Sequence, residues 1–405
     1  MTFYNASLKT HLVDPIYDTS KFQTEFRLQG DTVYLSNMRL LNVGCTVDSA
    51  VAYNALAGAY SVIKSIHLYD GNQLLDQLLE ANIWAAFTQY NKANSHSVDM
   101  ETWNSKNAAG LAVVLAAGVQ KLVPAYTTDG ANTAESTTGL GWLSLGQLLP
   151  FLKSQSYVPS TIFKNLRLVI HYDTDVAKVA PSNPARSVAN TITPMLVVDE
   201  LVSDAAKAKI LKQYQGPMWN SIEHDRLVLD AQNDDAGIIQ KSFTVNGFDN
   251  KNVNRMLIVN SAVNNTDDRS TLFGTLGSKV NHNQIVQIRV NGANVFARNG
   301  ISRPAERLAK LTDAWGTCTD PTPLSGISGN DTDGLLDRNR LGNTDYFGCM
   351  VMQPISELQI DYQRDCPASG TNNGSRYRQQ LFLNLFAEVP KRIVLSDGSY
   401  NVLYA

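Results

Sequence analysis

The feature that most constrains this chain is a two-residue alternation of apolar and polar side chains, in short runs closed by turn dipeptides. Residues 32–41 (TVYLSNMRLL) follow Gly30-Asp31, and residues 61–69 (SVIKSIHLY) stop at Asp70-Gly71. A period of two turns one face of a strand to a core and the other to solvent, and Asp-Gly is a hairpin signal. The pattern recurs at 166–172, 192–201, 226–230, 241–245, 254–260, 285–290, 357–363, 380–388 and 392–395. Many short strands between turn signals point to sandwiches rather than to a sheet wound with helices. Helical spacing is rarer. Leu74, Leu75, Leu78, Leu79, Ile83, Ala86 and Phe87 share one face of a helix over 74–90, 145–153 reads as a short amphipathic helix, and 304–315 as another. The Ala/Lys-rich stretch 203–214, closed by Gly216-Pro217, reads as a helical connector between two domains.

The two halves echo one another. A strand reaches Asp70-Gly71 ahead of one helix and another reaches Asn291-Gly292 ahead of a second, an offset of 221 residues from Asp70 to Asn291. Long stretches rich in Asn, Gly, Thr and Asp, 91–140 and 312–346, follow in matched positions. The expected organisation is an extended segment 1–22, a first β-domain 23–202 carrying the insertion 91–140, a linker 203–220, and a second β-domain 221–405 carrying the insertion 312–346. The longest apolar run, twelve residues at 108–119, is too short to span a bilayer.

Composition narrows the function. Hydrophobic residues make up 43% of the chain, enough for one or two cores, which argues against disorder. Net charge is -3, with 16 basic and 17 acidic residues before Gln215 and 18 and 20 after it, so neither half binds nucleic acid by mass electrostatics. Arginine rises from four before Gln215 to thirteen after, which leans toward subunit contact in the second half. Residues 1–10 lack the apolar stretch of a secretion signal. The cysteines Cys45, Cys318, Cys349 and Cys366 form no metal spacing and read as reduced thiols; the N-x-S/T matches at Asn5, Asn264, Asn330 and Asn373 read as chance in a chain with 35 Asn.

Reactive constellations are not legible. His11, His67, His96, His171, His224 and His282 are scattered. Asp331-Thr332-Asp333-Gly334 has the middle of a calcium loop, but Gly329 stands at its first ligand position and Arg340 at its twelfth. Gly139-x-Gly141 lacks a third glycine. Glu223 and Asp225, on one strand face with His224 opposite, could serve glycoside hydrolysis or simply line a solvated strand. The chain is therefore expected to be no enzyme, with no catalytic, cofactor or metal site. A carbohydrate-binding or carbohydrate-hydrolysing β-sandwich protein is the alternative.

Taken in order, residues 31–44 (DTVYLSNMRLLNVG), 65–71 (SIHLYDG), 151–153 with 157–159 (FLK, YVP), 163–172 (FKNLRLVIHY), 222–227 (IEHDRL), 358–363 (LQIDYQ) and 399–405 (SYNVLYA) resemble double jelly-roll viral major capsid proteins. The likeness lies toward the adenovirus hexon, Polinton-like, adintovirus and adomavirus group. It implies an all-β chain of two eight-stranded jelly-roll β-sandwich domains side by side, with short flanking helices and long loop insertions. It also implies a homotrimer of pseudo-sixfold outline that tiles the icosahedral shell of a double-stranded DNA virus. The implied partners are neighbouring capsomers, penton and minor capsid proteins and an inner membrane, with no sequence-specific nucleic acid. The implied location is the virion, after synthesis in the host cytoplasm or nucleus. Such proteins raise long loops outward, which suits 91–140 and 312–346, and keep the segment before Gln23 at the inner base. Here Lys9 and Lys21 are balanced by Asp14 and Asp18, so that segment is no basic arm.

Overall fold

The computed structural model describes residues 8–19, 22–47, 60, 62–90, 141–173, 188–192, 194–230, 237–262, 285–297, 299–302, 304–316, 346–366, 381–396 and 399–405. The insertion 91–140 with its apolar run 108–119, residues 317–345 with the calcium-like loop, Gly139, His96, His282, Cys318 and the four N-x-S/T sites lie outside the described residues.

The first half contributes β1 (Leu8–Val13), β2 (Tyr17–Thr19), β3 (Gln23–Arg27), β4 (Val33–Leu35), β5 (Arg39–Val47), β6 (Ile63–Asp70), β7 (Gln73–Leu79), β8 (Gly141–Ser144), β9 (Tyr157–Pro159), β10 (Leu166–Tyr172), β11 (Val188–Ile192) and β12 (Met195–Leu201). If β1, β3, β5, β6, β7, β8, β10 and β12 are counted one to eight, the hydrogen-bonded orders are 1-8-3-6 and 2-7-4-5. The second half contributes β13 (Met218–Leu229), β14 (Gly237–Val245), β15 (Lys251–Ala262), β16 (Ile285–Val290), β17 (Ala293–Asn294), β18 (Tyr346–Ile355), β19 (Leu358–Cys366) and β20 (Leu381–Ser396), followed by β21 (Ser399–Tyr404). Counted from β13 to β20, these eight repeat the orders 1-8-3-6 and 2-7-4-5. Two four-stranded sheets in this order make a jelly roll, so the chain is two jelly rolls in succession. Helices α1 (Ala81–Tyr90) and α4 (Pro304–Trp315) each follow the fifth strand of their barrel. The short α2 (Pro150–Lys153) belongs to the first half, and α3 (Asp204–Gln213), capped by the Ser203 hydroxyl accepting from Ala206 N–H, joins the halves.

The period-two pattern works as expected where both faces are defined. Val286, Ile288 and Val290 of β16 are fully buried with Ile360, Leu383 and Leu385, while Phe26, Ile66, Ile170, Leu196 and Val198 fill the first barrel. The turns between strands four and five also match: Gly71 N–H donates to Asn165 O and Asn291 N–H to Glu357 O, each at the start of strand seven. The equivalent turns are therefore Gly71-Asn72 and Asn291-Gly292, an offset of 220 residues from Gly71 to Asn291 rather than the 221 read from the dipeptides.

Other expectations need correction. The helix expected over 74–90 is a strand, β7, then a helix, α1, with Glu80 between them at φ 48°. The leucines fit a helical period, but the Gly71 turn sends the chain back along β6, from Asp70↔Gln73 to Ser65↔Leu79, and cross-strand pairing overrides local spacing. The helix expected at 145–153 is a 3₁₀ turn, Leu145–Gln147, and then α2, because Pro150 has no N–H to continue a helix and opens a new one. The two strands expected at 380–388 and 392–395 are one, since β20 runs through Pro390. Leu8–Val13 and Tyr17–Thr19, from the segment set apart as 1–22, pair with β12 and β3.

Candidate functional site: the contact between the two barrels

Glu223, His224 and Asp225 all lie on β13, and the structure gives each a structural partner. Glu223 is buried and ion-paired to Lys391 at 2.9 Å and Lys251 at 2.5 Å. Burial, the largest single influence, works to raise its pKa, but the two ammonium groups together hold the carboxyl below its ordinary value. Tyr404 covers the cluster, its ring centroid 5.1 Å from Lys391 Nζ and 5.5 Å from Lys251 Nζ. Burial and the Glu223 charge push its hydroxyl up to about 12. Asp225 accepts from Arg226 N–H, and His224 packs on Phe386 with Nε2 3.2 Å from Asn384 Oδ1. Burial, ahead of all else, lowers the His224 pKa. A carboxylate neutralised by two lysines under a tyrosine is a fastening, not a pair of acids flanking a bond to be cut.

That fastening continues into the first barrel. Lys391 Nζ donates to Ser221 Oγ at 3.3 Å, and the Ser221 hydroxyl donates to Asp76 Oδ1 at 2.8 Å. Asp76 sits on β7 with no exposed surface and accepts further hydrogen bonds from Phe151 N–H at 2.8 Å and Gln77 N–H at 3.1 Å. Burial nevertheless outweighs these donors and raises its pKa. A polar chain, Asp76–Ser221–Lys391–Glu223–Lys251, buried as far as Glu223 and ending at the half-buried Lys251, thus crosses from one jelly roll to the other. Arg226 reaches Glu80 at 3.7 Å, and the Tyr400 hydroxyl donates to Asp70 at 2.7 Å; both also cross.

Around the polar chain the contact is aromatic. Trp84 of α1 meets Phe386 at 5.4 Å and Trp315 of α4 at 5.3 Å, and Phe151 meets Trp219 at 5.2 Å. Leu257, Val259 and Phe386, on the outer face of the second barrel's β15 and β20, are fully buried in one cluster with the first barrel's core. A groove of about 590 Å³ opens beside them, lined by Trp84, Met218, Trp219, Trp315 and the ion pair Arg255–Glu388.

Three more histidines and Cys349 are also placed. His11 pairs with Glu200 at 2.8 Å; Thr32, foremost, with Lys207 and His11 pulls the Glu200 carboxyl down to about 2. His67 and His171 meet edge to face at 5.4 Å, and burial lowers the pKa of both. Cys349 is buried, which pushes its thiol up to about 12. Among the described residues there is no cluster of three or more His, Cys, Asp or Glu that could hold a metal, and no helix long and apolar enough to cross a membrane. Sequence reading did not find Asp76, Ser221 or Lys391. One signal was there: Asp76 is a lone acid inside the run QLLDQLL.

No protein-family model and no curated protein matches the chain. Solved structures do. VP54 of PBCV-1, fitted into a reconstruction of the virophage Sputnik, aligns with TM-score 0.59 at 9% identity, covering 100% of this chain and 98% of that one. The mavirus major capsid protein aligns with TM-score 0.53 at 10% identity over 99% of this chain and 90% of its own. The Faustovirus major capsid protein aligns with TM-score 0.50 at 9% identity over 98% and 92%. The chain has the double jelly-roll fold of these viral major capsid proteins.

Proposed function

We propose that this chain is a major capsid protein, a structural subunit rather than an enzyme. Three copies close into a pseudo-hexameric homotrimer, and many trimers tile the icosahedral shell of a double-stranded DNA virus. The observation that carries the reading is the repeated strand order, 1-8-3-6 with 2-7-4-5, in two barrels fastened by buried contacts. A rigid unit of two like barrels supplies two of six near-equivalent positions, so three chains complete a near-hexagonal tile. The full-length likeness to capsid proteins that share the fold supports it.

On this reading residues 23–202 and 221–405, with strands from 1–22 completing the first, are the two barrels, and 203–220 links them. The insertions 91–140 and 312–346 fall between strands five and six of both barrels, apart from 312–315, which end α4, and Tyr346, which opens β18. Partners are other copies of the chain, then penton and minor capsid proteins. The site of action is the virion, and no sequence-specific contact with nucleic acid is required. Light scattering tests the reading: the purified chain should form a stable species of three times its 44.4 kDa. A species of 44.4 kDa at every concentration and salt would overturn it.

A further inference from the structure

The contact inside the chain has a direction. The fifth strand of the first barrel, β7, abuts the first strand of the second, β13, and the hydrogen bond from Ser221 to Asp76 ties them. The outer face of the second barrel's first sheet is covered as a result: Ile222 is 4% exposed and Phe386 0%. The contact joins unlike surfaces, so each barrel has one of each. The two left over are the first strand of the first barrel, β1, and the fifth strand of the second, β17. Both are open. On β1, Leu8 is 52% and Leu12 61% exposed, and both residues of β17 are exposed.

Leu8 and Leu12 lie on the face of their sheet that corresponds to the covered face in the second barrel. They sit opposite Leu201 and Val197 of β12, on the side away from the core residues Leu196 and Val198. Val197 and Leu201 are themselves buried, and Thr10 between the two leucines donates to Asp199 at 2.6 Å, so the two large exposed side chains that need a covering surface are Leu8 and Leu12. The occupant follows from the direction of the internal contact. A head-to-tail contact repeated by near-equivalent barrels closes into a ring when the rotation allows, and a second copy supplies the missing fifth strand.

We infer that the outer face of β1 and β12, centred on Leu8 and Leu12, is the surface on which the β17 side of a second copy's second barrel docks. The inference rests on the capsomer reading and adds the residues of its interface. Each copy gives β17 to one neighbour and offers β1 to the other, so that three copies leave neither surface open.

The test is the mass of purified Leu8→Asp/Leu12→Asp by light scattering, with Ile238→Asp as the control. The control residue is 58% exposed and lies on β14, at the end of its sheet opposite β17. The expected result is a monomer of 44.4 kDa for the first variant, with an unchanged circular-dichroism spectrum, and a trimer for the control. A gentler Leu12→Asn, read as trimer dissociation on dilution, should raise the dissociation midpoint about tenfold or more, and it decides the matter if the double variant does not fold. A trimer unaffected by changes at Leu8 and Leu12 overturns the inference and leaves the capsomer reading standing. A wild-type chain that is itself monomeric overturns that reading instead.

Discussion

Asp76 and Glu223 are two buried carboxyl groups on one polar chain, and burial acts on them with different outcomes. Glu223 has two ammonium partners and stays below its ordinary value; Asp76 has hydrogen-bond donors and a more distant lysine, and is raised. The signs for stability are therefore opposite. Glu223 contributes stability that is present above its unfolded value of 4.5 and is lost as pH falls through its lowered folded value. Asp76 contributes stability that is present below its unfolded value of 3.8 and is lost as pH rises through its raised folded value. Glu223→Gln should therefore remove part of the acid-induced loss of stability. It should also cost about 3–5 kcal/mol at neutral pH, because Lys391 and Lys251 are left without their counter-ion. Urea titrations across pH read both effects, and an unchanged pH profile would contradict the assignment. Sequence alone made Glu223 legible only as a residue beside His224 and Asp225. Its partners Lys251 and Lys391 lie far along the chain, and nothing local to 222–227 announces them.

At the scale of elements, strands were easier to read than the helix boundary at Glu80. The alternation in β6, β10 and β16 survives because one face of each is buried. QLLDQLL has no such alternation, and only the returning hairpin makes it a strand. The turn at Asn291 is a second local device. Its φ is 52°, its Oδ1 accepts from Ser356 N–H, Ser356 hydroxyl and Glu357 N–H, and its Nδ2 donates to Pro354 O. Asn291→Gly keeps the backbone and loses those bonds, whereas Asn291→Ala also meets the left-handed penalty. Equilibrium unfolding should place the alanine variant about 1 kcal/mol below the glycine variant. Helix α4 is seated by close approach: a Cβ on Gly348 of β18 would stand 2.7 Å from Leu311 Cδ1 and 3.1 Å from Leu311 Cα. Gly348→Val should lift the helix from β18 and destabilise by about 1–3 kcal/mol, with Trp315 fluorescence reporting the displacement.

At the scale of the molecule, duplication was legible from turn dipeptides and from the matched insertions, and it led to the right fold class. The way the barrels join was not. Trp84 and Phe386, in contact at 5.4 Å, come from opposite ends of the chain, and no period or motif relates them. The open β1 face was hidden for the same reason, since it is defined only by comparison with the covered face of the other barrel. Trp84→Ala should cost about 3–5 kcal/mol and let the barrels unfold in separate steps, visible as two transitions in calorimetry where the wild type shows one. The central claim is that two fastened barrels per chain, three chains together, make a six-position tile. Electron-microscope class averages of the purified particle test it most directly. The account predicts a closed ring of six barrel-sized densities with a hexagonal outline. Averages showing two densities, or an open chain of barrels that does not close, would contradict it.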